Sequence, residues 1–158
     1  MKVTLLFGRI CSGKSSYNPH VYRIVASDIV RKLIGGGDRT ALQNTMNLDE
    51  EIAAAIVRAV EAVKQFNKSH RSTGAYAPNE IIVDGIRQPS IVEAILEEYP
   101  DAELVWLEVP TQERKRRYES RRAIKDIEPF EVADNKPIEL ECQKIYSIFA
   151  EQLKVINN

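Results

Sequence analysis

Residues 6–16, LFGRICSGKSS, decide how the rest of this chain is read. Within them Gly8, Gly13, Lys14 and Ser15 complete the spacing G-x-x-x-x-G-K-S in GRICSGKS. The preceding residues, KVTLLF at 2–7, form a short β-prone run that Gly8 ends, and the spacing predicts a helix starting near Lys14. Strand, loop and helix in that order give the pattern a physical meaning. Backbone N–H groups along Gly8, Arg9, Ile10, Cys11, Ser12, Gly13, Lys14, Ser15 and Ser16 can converge on phosphate oxygens at a helix N-terminus. Lys14 then neutralises the outer phosphates and the Ser15 hydroxyl holds Mg²⁺. Cys11 stands where a smaller residue is commoner, which reads as a packing choice. The bland alternative for the whole stretch is a glycine turn.

At 158 residues with 44% apolar residues, the chain is long enough for one good core and too short for two, so a single domain over 1–158 is expected. A formal charge of −1 gives no global field for polyanions, and any contact with nucleic acid has to come from a local cluster. The two cysteines, Cys11 and Cys142, lie far apart and one sits in the glycine loop, which fits free thiols in a reducing cytoplasm. The apolar run in MKVTLLFG is too short for a signal segment or a membrane span. No membrane partner is expected.

Further along, Pro19 keeps the helix after the loop brief, and YRIVAS reads as a second strand. Residues 28–35 read as a helix with Ser27 or Asp28 as its cap, broken by IGGGD. From Leu48 to Lys68 apolar residues recur at three and four, with Asp49, Glu50 and Glu51 in the first turn, the pattern of a long amphipathic helix. SHRSTGAYAPN is a polar loop, whose His70, Arg71 and Tyr76 could touch a nucleic-acid strand but more simply connect two elements. EIIVDG is a buried parallel-type strand ending at Asp84, SIVEAILEEYP a helix, AELVWLEVP a fourth strand, and TQERKRRYESRRAIK a charged helix capped by Thr111. Residues 138–156 read as a final amphipathic helix, with KVIN at the very end the remaining candidate for a fifth strand. Alternation of this kind implies an α/β fold: a short parallel sheet with helices on both faces, three layers in all, and a ligand at the carboxyl ends of the strands.

On these residues the chain resembles the nucleoside monophosphate and thymidylate kinase group of phosphate-loop kinases over nearly its whole length. In SDIVRKL, Asp28 and Arg31 share one helical face. This spacing is similar to that of polynucleotide kinases, where the aspartate takes the acceptor's proton and the arginine holds a nearby phosphate. An acceptor phosphate is already ionised at neutral pH, whereas a hydroxyl gains from a positioned carboxylate, so Asp28 favours a hydroxyl. The alternative is a helix cap with a solvated arginine. In VDGIRQP, Asp84 is a candidate for orienting Mg²⁺. The same pattern resembles phage deoxynucleoside monophosphate kinases, which implies that Arg87, with Gln88 beside it, meets the acceptor. Arg114, Lys115, Arg116, Arg117, Arg121, Arg122 and Lys125 crowd one charged segment. Arg114, Arg117 and Arg121 fall on one face of a helix. The resemblance makes residues 111–137 an arginine-rich lid, in which Arg117 and Arg121 stabilise the transferring phosphoryl group.

Taken together, these segments look most like the small phage kinases that phosphorylate 5-hydroxymethyluracil within DNA for hypermodification, with ATP and Mg²⁺ as the implied cofactors. A kinase of free deoxynucleotides, a polynucleotide-kinase-like enzyme and a nucleotide-binding switch without an acceptor remain the alternatives. No element that reads ATP over GTP is recognisable.

Overall fold

The computed structural model of the chain describes residues 1–37, 47–70, 78–121 and 128–158. Its centre is a strand apolar on both faces: in β1 (Lys2–Phe7) Val3, Leu5, Leu6 and Phe7 are all buried. Such a strand is stable only inside a sheet covered on both sides. β3 (Glu80–Asp84) and β4 (Glu103–Glu108) flank it and are equally apolar, whereas the outer strands β2 (Tyr22–Val25) and β5 (Leu153–Asn157) mix polar and apolar residues. The sheet order is β2-β3-β1-β4-β5 and every pairing is parallel.

The helices are α1 (Ala26–Leu33), α2 (Asp49–His70), α3 (Pro89–Glu98), α4 (Thr111–Arg121), α5 (Phe130–Asp134) and α6 (Pro137–Ile148). Alternation along the strands divides the core. Val3, Leu5, Phe7, Ile81, Val83, Leu104 and Trp106 pack with apolar residues of α1, α2, α3 and α6. On the other face Leu6, Ile82, Val105 and Leu107 pack with Tyr17, Val21 and Ile156, so the segment between β1 and β2 contributes to that cover. A small third cluster joins Ile10 of the glycine loop to Tyr118, Phe130 and Ala133, which anchors α4 and α5 beside the loop. No helix among the described residues is long and apolar enough to cross a membrane.

Several expectations change. The last segment is not one helix over 138–156: α6 ends at Ile148, Phe149 closes it with its N–H on Ile145 O, and the remainder becomes β5. Pairing with β4 from Leu104↔Leu153 to Glu108↔Asn157 stabilises the extended form over a further helical turn. α1 begins at Ala26 with Val25 as its N-cap, so Asp28 lies inside the first turn and is not the cap. The first acceptor of α4 is Pro110 O, and the Thr111 hydroxyl instead receives Arg114 Nη2 at 3.2 Å. His70 is the last helical residue of α2, stacked on Phe66 with ring centroids 4.0 Å apart, rather than part of a loop. Arg71, Tyr76, Arg122 and Lys125 lie outside the described residues.

Ile56, on the buried face of α2, is fully enclosed. Ile56→Ala is expected to lower unfolding stability by about 3 kcal/mol through lost transfer energy and a residual cavity, read as a fall in the denaturant midpoint.

Candidate active site

Register determines where the chemistry collects. Asp84 lies opposite Leu6 of β1 and Val25 of β2, Phe7 opposite Trp106, and Glu108 opposite Asn157. The carboxyl ends of all five strands therefore share one edge. The glycine loop, the start of α1, residues 85–88, the start of α4 and Asn158 all leave from that edge. A side chain at Gly85, whose φ is 88°, would begin 4.0 Å from Ala26 Cβ, so the end of β3 and the start of α1 are neighbours.

The loop is tight. Gly13 has φ 87°, in the left-handed region, and a methyl group there would overlap the Asn158 side chain; one at Gly8 would overlap Ser12 Oγ. Cys11 holds φ 60°, an unusual conformation for a residue with a side chain. Ser12 N–H donates to Arg9 O at 3.1 Å, and Asn158 Nδ2 donates to Ser12 O at 2.8 Å. Lys14 folds back over the loop, its Nζ donating to Gly8 O at 2.7 Å, Arg9 O at 3.2 Å and Ser12 Oγ at 3.4 Å. Desolvation, and then the positive charge of Arg87, push the Lys14 ammonium down to about 8. An incoming anion would reverse that shift.

The predicted helix after the loop is only a 3₁₀ turn, Lys14–Ser16, which leaves Ser15 and Ser16 exposed. Tyr17 is extended, Asn18 takes φ 42° and Pro19 follows, so the backbone leaves helical geometry after one turn. Fewer aligned N–H groups reach the loop, and more of any phosphate's charge falls to side chains.

Asp84 is buried at the end of β3. Its Oδ2 accepts from Arg23 Nη1 at 3.0 Å, and its Oδ1 has no partner among the described residues. Arg23 stands opposite Ile82, hence on the face that Asp84 shares, and it also donates to Tyr17 O. Arg87 Nη1 meets Glu139 Oε2 at 2.9 Å, and Glu139 is buried. Burial opposes the Arg87 charge most strongly, but Glu139, Cys142 and Asp84 together more than offset it and the pKa is raised. Gln88 is buried and its carbonyl accepts from Ile91 N and Val92 N at the start of α3.

Asp28 and Arg31 pair with each other at 2.8 Å on the exposed side of α1, their side chains 62% and 47% accessible. Arg117 reaches the loop: Nη1 donates to Cys11 O at 3.5 Å, Nη2 to Asn158 O at 2.9 Å and Nε to Glu113 at 2.8 Å. Arg116 and then Arg117 hold the Glu113 carboxyl down to about 2. Arg121 lies over the Tyr118 ring at 5.2 Å. Arg114 departs from its neighbours. Only 2% accessible, it forms a two-pronged pair with Asp134 at 2.5 and 3.1 Å, and Arg9 also lies 2.8 Å from the Asp134 carboxylate as an ion pair while donating to its backbone carbonyl at 2.9 Å.

Sequence reading missed Arg23, Asp134, Glu139 and Asn158. Arg23 carried a signal, a cation within a β-run, but Asp134 and Glu139 sit among other acids and nothing local separates them.

A five-stranded parallel sheet with helices around it and the glycine loop after β1 is the fold of phosphate-loop kinases. The chain is similar in structure to a shikimate kinase from Bacteroides thetaiotaomicron, with a TM-score of 0.56 and 13% identity over 99% of this chain and 85% of that one. A sugar kinase from Janibacter sp. HTCC2649 aligns at a TM-score of 0.46 and 12% identity over 99% and 85%. No protein-family model and no curated protein matches the sequence.

Two measurements check this geometry. Cys11→Gly relieves a left-handed residue and is expected to raise stability by about 1 kcal/mol, seen as a higher Tm. Reaction of Lys14 with an amine-selective reagent should show a midpoint near pH 8, moving upward when pyrophosphate is added.

Proposed function

We propose that this chain is an ATP-dependent kinase that transfers a γ-phosphate to a hydroxyl, and that its acceptor is the primary alcohol of 5-hydroxymethyluracil in DNA. The observation that carries this reading is the Asp28–Arg31 pair. It is solvent-accessible on the first turns of α1 and rises from the same strand edge as the Lys14 loop. A carboxylate so exposed suits a hydroxyl presented on a large substrate, and an adjacent guanidinium suits the phosphate next to it.

The residues present fit the implied groups. Lys14 is a cation with a depressed pKa lodged over the loop, and Asp84 Oδ1 is a buried oxygen without a hydrogen-bond partner among the described residues. Among the described residues no three His, Cys, Asp or Glu side chains gather to hold a metal. Magnesium would be held mainly by nucleotide phosphates, Ser15 and Asp84. Bound there, it would supply charge neutralisation to the β- and γ-phosphates.

The chain's own residues divide the remaining work. The loop binds the phosphates, and Lys14 and Arg117 offset the charge that develops on the transferring group. Asp28 receives the proton of the acceptor hydroxyl as its oxygen bonds to the γ-phosphorus. The bond from that phosphorus to the β–γ bridging oxygen breaks, and ADP leaves with the electron pair. Arg31 and Arg87 orient the acceptor, and Arg121 closes with α4.

The deciding assay offers γ-labelled ATP with duplex DNA containing 5-hydroxymethyluracil, unmodified DNA, or free deoxynucleotides. Label is expected on the modified DNA; label confined to free nucleotides would replace this acceptor. Lys14→Ala should abolish transfer. Asp28→Asn should lower turnover by about a hundredfold or more with nucleotide binding retained, and unchanged turnover would remove Asp28 from the chemistry.

A further inference from the structure

Glu139 belongs to none of the motifs, yet it touches two of them. It lies in the first turn of α6 and is 3% accessible. Its Oε2 accepts from Ile10 N–H in the glycine loop at 3.2 Å and from Arg87 Nη1 after β3 at 2.9 Å. The loop is where a nucleotide phosphate binds, and Arg87 stands on the acceptor side. One oxygen, fixed on a third element, is thus shared by both sides.

A buried carboxylate is costly unless its charge and its lone pairs are matched. Here Arg87 supplies the charge and the loop amide supplies a neutral donor. The converse also holds: the guanidinium is planar, so a bond to a rigidly held oxygen sets its orientation as well as its position. Because both donors share Oε2, a shift of the loop around a phosphate changes what Glu139 can offer Arg87.

We propose that Glu139 is a positioning residue that couples the phosphate loop to Arg87, so that nucleotide occupancy and acceptor affinity are linked through one carboxylate oxygen. This assignment rests on the phosphotransfer reading for its consequence, while the link itself is a property of the free protein. Linkage of this kind is reciprocal, so acceptor should raise nucleotide affinity by the same factor that nucleotide raises acceptor affinity.

The test combines a double-mutant cycle with a measurement that needs no activity. Glu139→Gln keeps the volume and an acceptor oxygen but removes the charge. It is expected to raise acceptor KM roughly tenfold with kcat within about threefold, and to add nothing in an Arg87→Gln background. Effects that multiply in the double variant would overturn the coupling. In the ligand-free protein, the Ile10 amide should exchange slowly by NMR in the parent and in Glu139→Gln, and at least about tenfold faster in Glu139→Ala. Exchange equally slow in the alanine variant would also overturn it. If Glu139→Ala fails to fold, the Arg87 side-chain resonance in Glu139→Gln decides: a shift is expected, and an unchanged signal rejects the contact. A parent protein that phosphorylates no acceptor defeats the phosphotransfer reading, and the amide exchange still decides the link.

Discussion

Parallel pairing of β1 with β3, Leu6 opposite Asp84, is the constraint on which the site depends. It opens the glycine loop two residues beyond the level of a buried carboxylate, and the matching register of β2 brings the start of α1 to the same level. Strand side chains alternate between faces, so slipping this register by one residue would exchange the surroundings of Asp84 and remove it from Arg23. The apolar character of β1 on both faces makes the register costly to change, because each step would expose or misplace side chains that are now fully enclosed.

Around that edge the protein manages an excess of positive charge. Arg114 and Arg9 share Asp134, while Arg87 takes Glu139. These buried pairs serve different ends. The Asp134 pairs tie α4 and the loop to α5, and the Phe130 ring lies 5.4 Å from the Arg114 guanidinium, so this cluster is part of the scaffold. Arg87 remains near enough to Lys14 to depress its pKa, which leaves that end of the site poised for an anion. With a single 3₁₀ turn after the loop in place of a longer helix, the backbone contributes less to such an anion and these side chains contribute more.

Most of the architecture was legible in the residues themselves. Apolar runs of strand length located β1, β3 and β4, the three-and-four spacing located α2, and the glycine spacing located the loop with the strand that precedes it. What was misread shares a cause. The end of α6 and the start of α1 depend on competition between local helix propensity and pairing with a distant strand, and periodicity over a short window cannot weigh that pairing, whereas the KVIN candidate does lie in β5. Arg114 shows the same limit within the charged segment. Its spacing matches Arg117 and Arg121, but only the packing of α5 against α4 makes it a buried scaffold residue.

By itself the sequence determined the chemistry on offer: a loop whose glycines permit a tight turn, a lysine and serine at its end, and carboxylates and arginines after the strands. Local spacing is enough for this because the glycines that permit the tight turn stand within a few positions of the lysine and serine that follow it. Only the tertiary structure decided which charges face which. Asp84 with Arg23, Arg87 with Glu139 and Asp134 with Arg114 and Arg9 join residues distant in the chain. Electrostatic partnership depends on separation in space and on burial, neither of which is written in the order of residues.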